Sequence, residues 1–127
     1  MQTLLVDRVE PYSAGDECSS VTLRSAHGQI DAFCFARDLV EGELVDNALT
    51  VLDAEIQAAY LSDWPEDLKT QRSVERIEKI GPYAYRGVGR VVDQAAGIIE
   101  VLGFRIYVGK VLCEGAVEFS FMRVDIR

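Results

Sequence analysis

Apolar and polar residues alternate along most of this chain, which is the pattern of β-strands that bury one face and expose the other. Pro11 ends the first alternating stretch, and Gly28 supplies a turn that doubles the second stretch into a β-hairpin. Gly103 interrupts a later stretch, where we predict a β-bulge or a bend. In chain order, the pattern predicts a strand over residues 3–10, hairpins over 19–36 and 83–108, and a last strand over 117–126.

Residues 48–60 fit two patterns. Leu49, Leu52, Ile56 and Tyr60 are spaced for one face of a helix. The same segment also alternates with the period of a strand from Leu52 to Tyr60. We predict a strand here, because this alternation continues to the end of the segment without a break.

The segment over residues 61–80 is polar and charged, and it is the longest connection in the predicted fold. Ser62 or Asp63 could cap a helix, because the side-chain oxygens of these residue types accept hydrogen bonds from free backbone N–H groups. We therefore predict one or two helical turns in this connection.

These elements indicate a mainly β fold of six or seven strands. Glycines lie inside the long strands, and interior glycines allow the sharp bends that a barrel needs. We predict a small barrel, closed or partly closed, that resembles the oligonucleotide/oligosaccharide-binding barrel in outline. A β-sandwich is the alternative fold.

The length of 127 residues suits one domain over 1–127, large enough for a core without disulfides. No apolar run approaches the roughly 20 residues that span a bilayer, and the first residues lack the pattern of a signal peptide. Cys18, Cys34 and Cys113 are odd in number and far apart. We therefore expect a cytoplasmic protein with no membrane partner.

Charge is distributed unevenly along the chain. The net charge is -8, but residues 1–70 hold four basic and fourteen acidic side chains, whereas residues 71–127 hold nine basic and seven acidic ones. A strongly acidic first half disfavours contact with phosphate and favours a basic partner. The second half carries no such objection to nucleic acid.

The sequence predicts no metal site and no cofactor. His27 is the only histidine, and the cysteines show no Cys-x-x-Cys pairing of the kind that zinc sites use. The acids around Gly42 do not have the spacing of a calcium loop. Gly87 and Gly89 lack the third glycine and the following helix of a dinucleotide fingerprint, so we interpret them as parts of a bent strand.

Single-stranded nucleic acid is one candidate ligand, because it binds aromatic side chains that lie beside cationic ones. The alternation of side-chain direction along a strand argues against such a site on a regular 83–108 hairpin. On one regular strand Tyr85 and Arg86 point to opposite faces, so a bulge would be needed to bring them together. The candidate residues are Tyr83, Tyr85, Arg86, Arg90, Arg105 and Tyr107.

The leading functional hypothesis is a non-enzymatic module that binds another protein, either a basic partner or a second copy in a homo-oligomer. An enzyme that uses surface carboxylates is a further hypothesis, although no nucleophile motif is present and no pair of acids stands out. Trp64 is interpreted as a plug at one end of the barrel or as an interface anchor. The predicted partner-binding residues are Asp38, Glu41, Glu43, Asp46, Asp53, Glu55 and Trp64.

Overall fold

The protein is mainly β-sheet. The computed structural model describes residues 2–61 and 63–126, and those residues contain twelve strands and one short helix. The elements are β1 (Thr3–Pro11), β2 (Cys18–Arg24), β3 (Gln29–Phe35), β4 (Leu44–Asp46), β5 (Leu49–Leu52), β6 (Glu55–Ala58), α1 (Glu66–Arg72), β7 (Arg76–Lys79), β8 (Tyr85–Asp93), β9 (Ile98–Val101), β10 (Phe104–Tyr107), β11 (Ala116–Phe121) and β12 (Arg123–Ile126).

All of these strands belong to one sheet. Its order is β4-β1-β2-β3-β12-β5-β10-β9-β8-β11-β6, with β7 paired to β8 beside this path. In the described part of the chain β4 and β6 do not pair with each other, so the sheet is not closed into a barrel. The predicted all-β class is confirmed, but the barrel of six or seven strands and the sandwich are wrong, because the strands are shorter, more numerous and joined in one open sheet.

One face of the sheet forms the core, and the alternation in the sequence explains which face that is. Val117, Phe119 and Phe121 in β11 are buried, while the residues between them are partly exposed. The predicted 19–36 hairpin is present as β2 and β3, and its buried positions follow the same period of two. Burying each such side chain contributes about 1.5–3 kcal/mol, so the shared apolar face stabilises the curved sheet.

Residues 48–60 form a strand, as the alternation predicted, but the strand is interrupted. β5 pairs with β12 and β6 pairs with β11 in one antiparallel register, with Leu52 opposite Arg123 and Glu55 opposite Ser120. The interruption lies at Asp53, which has a φ of 55°, and opposite it at Met122. The two segments therefore form one long antiparallel ladder that bends where both strands are interrupted.

The second half of the predicted 83–108 hairpin differs from the expected single strand. Leu102 and Gly103 have φ values of 47° and 86°, and the chain reverses there so that β9 and β10 pair as a hairpin. Two successive positive φ values are typical of the tight type I′ turn. Of the predicted bulge or bend at Gly103, the bulge is wrong, because the chain direction reverses at this glycine in a turn between two strands.

The predicted helical turns are present as α1. Glu66 and Asp67 lie in its first turn and Lys69 and Arg72 in its last, which places each charge at the favourable end of the helix dipole. Pro65 precedes the helix without a side-chain cap, so Asp63 does not cap it, and Ser62 lies outside the described residues. This helix is far too short to cross a membrane, and the described residues contain no other candidate span.

The contrast between two neighbours in the β11–β12 strand tests the position of the core. Phe121 is fully buried, whereas Met122 is 61% exposed at the bend. We expect Phe121→Ala to lower the free energy of unfolding by about 3–5 kcal/mol. Met122→Ala should change it by less than about 0.5 kcal/mol. Urea unfolding followed by circular dichroism measures both, and equal losses would contradict the assigned faces.

Candidate functional site

The connection between β6 and β7 crosses the outer face of the sheet, which is the face opposite the core. β6 lies on one side of β11 and β8, and β7 lies on the other, so the described residues 59–61 and 63–75 belong to a connection that passes over these two strands. The Arg72 guanidinium lies 4.0 Å from the Glu118 carboxylate, on the β11 face that points away from the core. The crossover therefore contacts the outer face at this point.

The same outer face contains a groove of about 370 Å³ across the four strands β6, β11, β8 and β7. We call it the outer groove. One row of laterally opposed residues crosses it, from Glu55 through Ser120 and Arg86 to Glu78. The polar side chains that line it are Glu55, Gln57, Arg76, Glu78, Arg86, Glu118 and Ser120.

Two floor residues of the outer groove, Arg86 on β8 and Glu118 on β11, are hydrogen-bonded to neighbours on the walls. Arg86 donates two hydrogen bonds to Glu78, from Nε to Oε2 at 3.1 Å and from Nη2 to Oε1 at 3.4 Å. These bonds lower the pKa of Glu78 and raise that of Arg86, so both groups stay ionised at neutral pH. Gln57 Nε2 donates to Glu118 Oε2 at 2.7 Å.

The two walls of the outer groove differ from its floor. Glu55 on β6 and Arg76 on β7 form no ion pair and no side-chain hydrogen bond with any residue in the described ranges. Both side chains are exposed. The groove therefore presents a carboxylate on one wall and a guanidinium on the other. The carboxylate can bind a cationic group of a ligand, and the guanidinium can bind an anionic one.

Gly87 determines how closely β7 approaches β8. A Cβ atom at this position would lie 2.0 Å from the carbonyl oxygen of Arg76, which is backbone and cannot move aside alone. Only glycine permits this approach, because it has no side chain. The interpretation of this glycine as part of a strand agrees with its pairing on both sides, to Ile77 and to Phe119.

The predicted partner-binding residues fall into separate places. The first four lie in the β3–β4 loop and in β4, at one end of the strand order, whereas Glu55 lies in β6 at the other end and Asp53 just before it. Trp64 lies in the crossover, with the Arg72 guanidinium 5.9 Å from its ring centroid, so it does not plug a barrel. Of this set, only Glu55 lines the outer groove. The four residues at the far end are Asp38, Glu41, Glu43 and Asp46.

The predicted nucleic-acid residues are also divided. Tyr85 is buried, and its hydroxyl accepts the backbone N–H of Asp31 at 2.8 Å, so its ring is not available to a base. Arg86 lines the outer groove. The remaining basic residues flank Glu100, with Arg90 and Arg105 opposite it in the neighbouring strands, and Arg90 is 3.7 Å from its carboxylate. Tyr107 lies two residues after Arg105, on the same face of β10.

Tyr83 belongs to a separate cluster of aromatic rings. Its hydroxyl lies 2.6 Å from that of Tyr12, and both rings meet the edge of Phe33. Burial and this hydrogen bond raise the pKa of Tyr12 to about 12. The Arg123 guanidinium already lies over Phe33, 4.4 Å from the ring centroid. The cluster joins the end of β1 to the start of β8.

Several residues of the outer groove were not identified from the sequence. Glu118 and Ser120 alternate with the buried residues of the last strand, so their outward direction was present in the pattern. Arg76 and Glu78 had no comparable signal, because the four-residue strand β7 is charged and only Ile77 among its residues is apolar. Their place in the groove follows from the pairing of β7 with β8. The pattern of residues within β7 does not show which strand it pairs with.

A smaller cleft of about 340 Å³ lies between β3 and β7. Lys79 forms an ion pair with Asp31 across it, and Thr22 Oγ1 donates to Asp31 Oδ1 at 2.7 Å. Burial alone would raise the pKa of Asp31, but the hydrogen bonds from Lys79 and Thr22 outweigh it and lower that pKa. The bond to Asp31 raises the pKa of Lys79. The pair therefore holds together two strands that share no backbone ladder.

Neither a metal site nor a comparison with known proteins assigns a function to this chain. Across residues 2–61 and 63–126, no group of three or more histidine, cysteine, aspartate or glutamate side chains is arranged to hold a metal ion. Cys18, Cys34 and Cys113 are free thiols. No protein-family model, curated protein or solved structure matches the chain. The geometry and the charges of the outer groove make it the candidate site.

The close approach at Gly87 predicts a selective effect of adding one methyl group. A Cβ at Gly28 would make only ordinary contacts at 3.7 Å, so Gly28→Ala is a matched control. We expect Gly87→Ala to cost about 2 kcal/mol or more and to speed hydrogen exchange in β7, whereas the control should cost less than about 1 kcal/mol. Urea unfolding and amide exchange measure these effects. Equal behaviour of the two variants would contradict the close packing of β7 on β8.

The Asp31–Lys79 pair predicts a pH-dependent stability. Because the folded pKa of Asp31 is lowered, its contribution is complete above the ordinary aspartate pKa of about 4 and is lost as pH falls through the folded value. We expect Asp31→Asn to destabilise the protein at pH 7 and this difference to shrink as acid is added. Glu41→Gln, at an exposed loop position, is the control. A difference that is constant with pH would contradict the assigned pair.

Proposed function

We propose that the protein is a non-enzymatic binding module and that an extended segment of a partner protein lies in the outer groove. Two charged side chains support this proposal most directly. Among the described residues, the Glu55 carboxylate on one wall and the Arg76 guanidinium on the other form no ion pair. A polypeptide that carries both a basic and an acidic side chain offers a partner to each of these groups.

The lining of the groove supports a polypeptide ligand over a compact apolar one. Gln57 and Arg86 are exposed polar side chains, and Ser120 is partly exposed. Such groups give hydrogen bonds to the N–H and C=O groups of an extended chain, which has both along its whole length. The groove also crosses four strands, which is about 14 Å at the usual strand spacing. That width accommodates several residues of a peptide.

The acidic first half of the chain has a second role in this proposal. Asp38, Glu41, Glu43 and Asp46 lie away from the groove, so they contribute a long-range field rather than contacts. A negative field speeds the approach of a basic protein and weakens as salt is added. The three free thiols support a reducing compartment, and we propose the cytoplasm as the site of action.

Charge reversal on the two walls tests the proposed function. Random peptides displayed on phage and selected on the immobilised wild-type chain provide the probe. We expect Glu55→Lys and Arg76→Glu each to weaken binding of the selected peptides by about tenfold, or about 1.4 kcal/mol. The measurement is fluorescence anisotropy with labelled peptides. Glu114→Lys and Arg8→Glu make the same charge changes at exposed positions outside the groove and should have little effect.

Two outcomes would contradict the proposal. Selected peptides that bind equally well to the wild type and to both groove variants would place the binding site elsewhere. A labelled single-stranded oligonucleotide that binds at low salt, and that binds less well to Arg90→Ala or Arg105→Ala, would favour the nucleic-acid hypothesis instead.

A further inference from the structure

We propose that two copies of this chain associate through their β6 edges, which joins their outer grooves into one. The occupant of this edge is thus a second copy of the protein. The inference goes beyond the proposed function, because the self-association requires no partner in the groove.

The β6 strand has a free edge. Among the described residues it pairs only with β11, and it ends the strand order of the sheet. Ala59 N–H donates to the carbonyl of Ala116 at 3.0 Å, which fixes the phase of this ladder. Because an antiparallel ladder alternates, Gln57 bonds with Glu118, and the backbone groups of Ile56 and Ala58 point away from β11. Two N–H and two C=O groups are thus available at this edge.

This edge is short, at four residues, and contains Glu55, but it lacks three other devices that usually prevent strand pairing. Proteins block edges with lysine, proline or a bulge, and none of these occurs in Glu55–Ala58. The β4 edge at the other end of the sheet has only three residues, with Glu43 before it and Asp46 within it. Two β4 edges would bring these acids together, whereas two β6 edges need not bring acids together. The charges therefore favour β6 for self-association.

The sequence of β6 complements itself in the antiparallel direction. When Gln57 lies opposite Gln57 of the second copy, Ile56 of each copy lies opposite Ala58 of the other. This register uses all the outward backbone groups and forms four N–H···O bonds. Glu55 then lies opposite Ala59 of the other copy, so no like charges face each other across the new pair of strands.

Exposed apolar side chains lie at both ends of β6. Leu52 is 45% exposed three residues before the strand, and Leu61 is 61% exposed three residues after it. In the antiparallel register, Leu52 of one copy and Leu61 of the other lie beyond the same end of the new ladder. Covering these residues adds apolar burial to a short backbone ladder. Because the ladder is only four residues long, we expect a weak dimer whose population rises with concentration.

The twofold axis of this pairing is perpendicular to the sheet, so both outer faces point in the same direction. β6 is a wall of each outer groove, and the pairing therefore places the two grooves side by side. The joined groove crosses eight strands, which is about 35 Å at the usual spacing. A partner with two binding segments could occupy both halves at once, and that would strengthen its binding by avidity.

Sedimentation equilibrium of the full chain over a range of concentrations tests the proposal. We expect the mean mass to rise from the 14.1 kDa of one chain towards twice that value. Gln57→Glu and Gln57→Lys should each remain monomeric, because each places like charges opposite one another on the axis. An equimolar mixture of these two variants should recover the dimer. This rescue separates a lost interface from a lost fold.

Three controls complete the experiment. Gln29→Glu and Gln29→Lys make the same charge changes on β3 and should leave the mass curve of the wild type unchanged. Ala58→Pro removes an outward N–H but no bond to β11, so it should give a folded monomer by circular dichroism. Amide exchange at Ile56 and Ala58 should slow as the concentration of the wild type rises.

A wild-type chain that remains monomeric up to about 1 mM would overturn the proposal. A wild-type dimer that persists in both Gln57 variants would also overturn it, because another surface would then hold the copies together. Peptide binding that is equal in the wild type and in Arg76→Glu, together with a wild-type mass that rises with concentration, would contradict the proposed function and leave the dimer proposal supported. Failure of the proposed function is thus distinguished from failure of this one.

Discussion

The long antiparallel ladder between residues 49–58 and 117–126 joins the two parts of this sheet. Its first part, β5 with β12, lies in the middle of the strand order, and its second part, β6 with β11, lies at one end. The bend at Asp53 and Met122 allows the same two chain segments to pair with different neighbours on either side. The apolar face of every strand can then contribute to one core without closing the sheet into a barrel.

The outer groove depends on this ladder and on one close approach. β6 and β11 supply one wall and part of the floor, while β7 supplies the other wall because Gly87 allows it to approach β8. Charges on the floor satisfy each other, as Arg86 does with Glu78. Such matched pairs hold the floor in one arrangement, whereas Glu55 and Arg76 on the walls form no ion pair with any described residue. The division between paired and unpaired charge, rather than net charge, therefore defines the site.

Local sequence patterns predicted the positions of the strands better than they predicted which strands pair with each other. The 19–36 hairpin was predictable, because its turn and both alternating strands are adjacent in sequence. The turn at Leu102 was missed, because leucine rarely adopts a positive φ and only the packing of β9 and β10 requires it. The acids of the first half are close in sequence, and this proximity predicts one acidic surface. The order of strands places β4 and β6 at opposite ends, and no alternation of residues contains that information.

The pairing of Glu55 with Ser120 has a further consequence for how the protein acquires its site. Contacts between residues so distant in sequence form late, because a large loop must close before they contribute any stability. The hairpin of β2 and β3 can form early from neighbouring residues, but the wall and floor of the groove come together only when the distant segments meet. The groove therefore exists only in the completed fold, and a partially folded molecule presents no competing version of it.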